Sequence, residues 1–147
     1  MITPKQSLIF LCLFFLPSLS FAEFQSNDEI AIQLIAASKD YPIQQRIKTQ
    51  SGVLLNTPYL AGALGEGVSG KYDQNPLYRF DYFDCETYVD TVMALVLAKN
   101  LTDFRSKINQ IRYKQANVNF TQRNHFPSAD WIPNNKKNGF IRELTYF

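Results

Sequence analysis

Asp84-Cys85-Glu86-Thr87-Tyr88-Val89 is the stretch on which the fold turns, read together with Asn124-His125-Phe126. The first places a cysteine at the start of an apolar segment. From Cys85, residues Tyr88, Val89, Val92, Met93 and Val96 recur at three-and-four spacing, which predicts a central helix with this apolar face inward. Asp84 is a good N-cap, and Glu86 suits the positive end of a helix. Lys99-Asn100 closes the segment. The second stretch carries His125, the only histidine among the 147 residues.

Unpaired backbone N–H groups at a helix N-terminus stabilise negative charge, so a cysteine there is placed to act as a thiolate nucleophile. An imidazole can then pass the proton to a leaving amine. Because Cys85 belongs to the apolar face, it is expected at the bottom of a cleft. His125 needs a partner for its other ring nitrogen. Asp130 is the nearest downstream carboxylate, and Asn134 and Asn135 are amide alternatives. The residues leave this choice open. One His and one Cys are too few ligands for a structural zinc site, so neither a metal nor a cofactor is expected.

Around this centre the chain reads as one domain behind a signal peptide. Lys5, the apolar run Leu8 to Leu16 and Ser18-Leu19-Ser20-Phe21-Ala22 form a secretory signal over residues 1–22, with cleavage expected after Ala22. The run is too short for a comfortable membrane span. The mature domain would be residues 23–147, periplasmic or secreted, with no stable membrane span. Its charge balance, 14 basic against 13 acidic side chains once Lys5 is gone, gives no support for nucleic-acid binding. Cleavage also removes Cys12. Cys85 is then the only thiol in an exported protein, where paired cysteines are the norm.

Ser26-Asn27-Asp28-Glu29 signals a helix start, followed by Ile30, Leu34 and Ile35 to about Ser38. Pro42 opens a second helix whose buried face is expected to hold Ile43, Ile47 and Leu54. Residues 62–76 are rich in glycine and poor in apolar side chains, a long loop of the kind that carries function. Thr102 opens a helix with Phe104, Ile108 and Ile111 inward. Beyond it, Arg112-Tyr113, Val118 to Thr121 and Phe140 to Tyr146 look strand-like, with loops between them at Pro127, Pro133, Asn134-Asn135 and Asn138-Gly139. Helices followed by strands predict an α+β fold with a small antiparallel sheet. So thin a sheet suggests a chain incomplete or shortened at its C-terminus.

Four pieces in order resemble a known family. Thr57-Pro58-Tyr59 with Gly62, followed by Asp84-Cys85 opening a helix, is similar to the papain-like, NlpC-type peptidoglycan hydrolases. Adding Asp84 to Val89, Arg123 to Phe126 and Asp130-Trp131-Ile132, the chain resembles the N-acetylmuramoyl-L-alanine amidase-like branch over residues 50–147. The resemblance implies a papain-like helical half and a cysteine amidase acting on peptidoglycan or muropeptides. Cys85 would be the nucleophile and His125 the general base and acid. Tyr59 and Asp84 would lie beside the cleft and contact the substrate's amine or carbonyl. It also implies that relatives extend beyond residue 147. A competing reading from the shortened end is a catalytically inactive module that binds the cell wall or a partner.

Overall fold

The computed structural model describes residues 25–144, so the signal-peptide reading of residues 1–22 lies outside the described residues. Five α-helices follow in order: α1 (Asn27–Ser38), α2 (Ile43–Leu54), α3 (Cys85–Leu97), α4 (Leu101–Arg112) and α5 (Ile132–Lys137). The central helix α3 packs against α1, α2 and α4.

Local chemistry sets these boundaries. Ser26 and Glu29 form a reciprocal capping box at the start of α1. Asp84 and Thr87 do the same for α3. Asn100, two residues before Thr102, caps α4 by accepting the Asp103 N–H. The α4 face that the spacing predicts, Phe104, Ile108 and Ile111, is buried against Ile35 and Leu95 to form the core.

The second helix buries Leu54 as expected but turns the two isoleucines outward. Ile43 and Ile47 are about half exposed, at 46% and 48%, whereas Gln50 is wholly buried. Gln50 Nε2 donates to Leu34 O (2.5 Å) and to Ser38 Oγ (2.7 Å), which cross-links α2 to α1. From the same helix Arg46 donates to Ala98 O (2.7 Å) and Leu95 O (3.3 Å), satisfying carbonyls at the end of α3. Two directed hydrogen-bonding groups thus set the rotation of α2, overriding the isoleucine pattern.

The expected α+β architecture is not what forms. Among the described residues there is no sheet, only two isolated bridges, Tyr59 with Phe83 and Tyr113 with Arg123. Arg112 completes α4, because the helical period of Phe104, Ile108 and Ile111 runs through to it. Asn119 accepts the Thr121 N–H and folds Phe120–Gln122 into a tight 3-10 turn. Residues 141–144 do not form a strand, and 145–147 lie outside the described residues. β-Branched and aromatic residues make a strand only where a neighbour completes the ladder, and these segments meet one at single positions.

The stretch expected as loop is largely helical. Pro127 begins a wide turn over Pro127–Trp131, and Pro133 falls in the first turn of α5. Proline's missing N–H costs nothing at either place.

Phe104, with no exposed surface, is the reference point for core packing. Replacing it with alanine is expected to lower unfolding free energy by about 3–5 kcal/mol. Replacing half-exposed Ile47 with alanine should cost under about 1 kcal/mol. Urea titrations of the two variants check the ranking.

Candidate active site

The bridge between Tyr59 and Phe83 builds one side of the site. Phe83 N donates to Pro58 O (3.1 Å), and Leu60 N donates to Phe83 O (3.0 Å). This fixes Thr57-Pro58-Tyr59 beside the residue that precedes Asp84-Cys85. The Tyr59 ring stays free at 73% exposure.

Asp84 joins three segments. Its Oδ1 accepts the backbone N–H and the hydroxyl of Thr87, each at 2.8 Å. Its Oδ2 accepts the Gly62 N–H at 3.1 Å. Gly62 has φ +67°, a left-handed conformation that suits glycine and turns its N–H toward the carboxylate. Asp84 therefore starts α3 and ties the glycine loop to that start. The cap engages the Thr87 N–H, and Tyr88 N bonds Asp84 O. The N–H groups of Cys85 and Glu86, in the first turn, have no intrahelical partner.

Cys85 is exposed, not sunk in a cleft. As the first residue of α3 it stands ahead of the buried face, which begins at Thr87 and continues through Asp90, Thr91 and Leu95. Among the described residues its thiol makes no hydrogen bond, to His125 or to any other group.

The imidazole of His125 is held from one side. Its Nε2 lies 2.7 Å from Phe120 O. A carbonyl only accepts, so Nε2 carries the hydrogen and donates, which leaves Nδ1 as the basic nitrogen of the neutral ring. The Phe120 ring also packs on the imidazole, with centroids 4.7 Å apart. The carboxylate and amides expected to orient His125 are engaged elsewhere. Asp130 pairs with Lys114 (2.8 Å), whose hydrogen bond and charge hold its carboxyl below the usual carboxylate range. Asn134 donates to Gln110 O, and Asn135 donates to Ile111 O and Trp131 O. A backbone carbonyl fills the orienting role, and nothing in the residue types alone could have pointed to it.

A polar cleft of about 120 Å³ brings Asp84 and His125 together, with Glu86 and Asp90 of α3 and Arg123-Asn124 also in its lining. Burial, and then the charge of Asp84, push the Glu86 carboxyl up. Asp90 is almost wholly buried. It accepts the Trp131 indole N–H (2.7 Å) and lies 3.8 Å from the Arg112 guanidinium. Burial pushes its carboxyl up to about 7, against the lowering effects of Arg112 and the indole. The sequence signal for this group was a carboxylate inside the apolar run Tyr88-Val89-Asp90-Thr91-Val92.

Arg123 fixes the approach to His125. Its Nε donates to Glu66 Oε1 (2.8 Å), and its Nη2 bonds Glu66 Oε1 and Asp73 Oδ2, the latter at 2.8 Å. Both carboxylates belong to the glycine-rich loop. That loop is closed by Glu66 N to Asp73 O (3.0 Å) and Gly67 N to Asn75 O (2.8 Å). A Cβ on Gly65 would come within 2.4 Å of the Asp73 carboxylate, so the close approach requires glycine there. Among the described residues no group of three or more His, Cys, Asp and Glu is placed to hold a metal ion. None of the described helices is long and apolar enough to cross a membrane.

Residues 49–146 match the AmiA-like family model, described as N-acetylmuramoyl-L-alanine amidase-like. The chain belongs to this amidase-like family. Its structure is also similar to that of a Legionella pneumophila protein assigned to the DUF1460 family, with TM-score 0.73 and 39% identity over 76% of this chain and 38% of that one. An N-acetylmuramoyl-L-alanine amidase from Bacteroides uniformis is similar at TM-score 0.56 and 26% identity, over 66% of this chain and 41% of that one. The chain thus spans about two fifths of the length of these two structures. No curated protein matches it.

The raised carboxyl of Asp90 has a consequence for stability. An acid whose folded pKa lies above its ordinary value of 3.8 favours folding when protonated, so its contribution is full below about 4 and is lost as pH rises toward about 7. Urea midpoints are therefore expected to fall across that window. Asp90→Asn keeps an acceptor for Trp131, cannot ionise, and should flatten the fall.

Proposed function

We propose that this member of the amidase-like family is an exported, papain-like cysteine amidase of the NlpC type. Its substrate is the amide between muramic acid and L-alanine, or a nearby peptide bond, in peptidoglycan fragments. The observation that carries this reading is the tautomer of His125, set by Phe120 O at a cleft that also holds Asp84 and Glu86, the two neighbours of Cys85 in the chain. Family membership and the similarity to an amidase support it from outside the site.

In this reaction Nδ1 of His125 takes the proton from Cys85, and the thiolate adds to the amide carbonyl carbon. The oxyanion meets the free Cys85 N–H at the head of α3 and a second donor. The C–N bond breaks as the imidazolium returns its proton to the leaving amine. Water, deprotonated by Nδ1, then attacks the thioester, giving the carboxylic acid and the free thiol. Through both halves Nε2–H stays on Phe120 O, which stabilises the imidazolium and keeps the ring from turning. Asp84 keeps α3 and the Gly62 loop in register beside the substrate, and exposed Tyr59 supplies a face for its amine or carbonyl. The signal-like sequence of residues 1–22 supports export, with the chemistry in the periplasm or outside the cell.

Purified protein is expected to release L-alanine or its peptide from N-acetylmuramoyl peptides. Cys85→Ala and His125→Ala should each lose more than about a thousandfold in kcat. Amine release measured on the three proteins tests this. Equal turnover by wild type and Cys85→Ala would exclude the nucleophile. Binding without cleavage by wild type would favour an inactive wall-binding module.

A further inference from the structure

A second cavity, of about 390 Å³, opens between the glycine-rich loop and the turn that precedes His125. Its lining includes Ser69, Lys71 and Tyr72 from the loop, and Val118, Asn119 and Phe120 from the turn. Phe120 is common to both sites. Its ring packs on His125 at 4.7 Å and on Tyr72 at 5.6 Å, so the cavity lies one side chain away from the imidazole.

The direction of the reaction decides which part of a substrate comes here. His125 delivers its proton to the leaving amine, so the amine-bearing portion must lie on the His125 side of the broken bond. The lining then describes that portion. The Lys71 ammonium sits over the Tyr72 ring at 4.9 Å and, among the described residues, has no carboxylate partner. Glu66 also borders the cavity, but Arg123 neutralises it. An unpaired cation, two aromatic faces, the Ser69 hydroxyl and the Asn119 amide suit a short peptide with a free carboxylate and small aliphatic side chains.

We infer that this cavity is the subsite for the leaving-group peptide, and that Lys71 and Tyr72 select a peptide bearing a free carboxylate. The inference rests on the amidase reading for its polarity, yet binding can be read without turnover.

The test is calorimetric titration of the Cys85→Ala protein with L-alanyl-γ-D-glutamate, with the same dipeptide amidated at its carboxyls, and with N-acetylmuramic acid. The free-acid dipeptide is expected to bind. Amidation or Lys71→Ala should each weaken it about fivefold, the scale of one exposed ion pair. Tyr72→Ala should weaken acid and amide alike. The inference is overturned if the dipeptide does not bind, if Lys71→Ala leaves the preference for the acid intact, or if Lys71 and Tyr72 substitutions instead weaken N-acetylmuramic acid. Lys71→Gln, with its circular dichroism compared to that of the parent, separates loss of charge from loss of fold. Binding that behaves as expected in a protein with no wild-type turnover would remove the amidase reading and overturn the leaving-group assignment, while keeping Lys71 and Tyr72 as a site for a carboxylate-bearing peptide.

Discussion

The carboxylate of Asp84 is the constraint on which the site depends. One oxygen satisfies the Thr87 N–H and hydroxyl at the head of α3, and the other holds the Gly62 N–H. A side-chain cap of this kind contributes on the order of 1 kcal/mol to a helix. Its larger effect is geometric. It fixes where α3 begins, and therefore where Cys85 stands, while locking the entry of the glycine-rich loop to the same point. The bridge from Tyr59 to Phe83 adds a third segment at that junction.

Arg123 supplies the opposing anchor. Its guanidinium grips Glu66 and Asp73 in the loop and lies 5.3 Å from the centre of the Phe120 ring. Phe120 in turn gives the His125 ring both a packing surface and a carbonyl acceptor. Thiol and imidazole thus come from distant parts of the chain, and the same loop is tied to the supports of both. A planar, bidentate guanidinium is suited to this role, whereas a lysine would make a point contact.

Much of this was legible in the sequence. Asp84 as an N-cap, the inward face of α4 and the long glycine loop follow from local rules that the tertiary structure leaves intact. The misses share a cause. Strand character at Tyr113, Val118 to Thr121 and beyond Phe140 depends on partners elsewhere, and among the described residues those partners are single bridge positions or absent. The buried face of α2 is set by Gln50 and Arg46 bonding to carbonyls of other helices, which apolar periodicity does not register. The partner of His125 is a main-chain oxygen five residues earlier, available only because Asn119 folds the intervening turn. Spacing puts Cys85 on the apolar face, but the first residue of a helix projects ahead of the packed turns.

The central claim is that a muramoyl group passes through Cys85. Acid-quenched protein, sampled within the first turnover on an N-acetylmuramoyl-L-alanine substrate and mapped by mass spectrometry, tests it directly. The account predicts an added N-acetylmuramoyl mass on the peptide that contains Cys85. Turnover with no adduct on Cys85, or with the adduct on another residue, would contradict it.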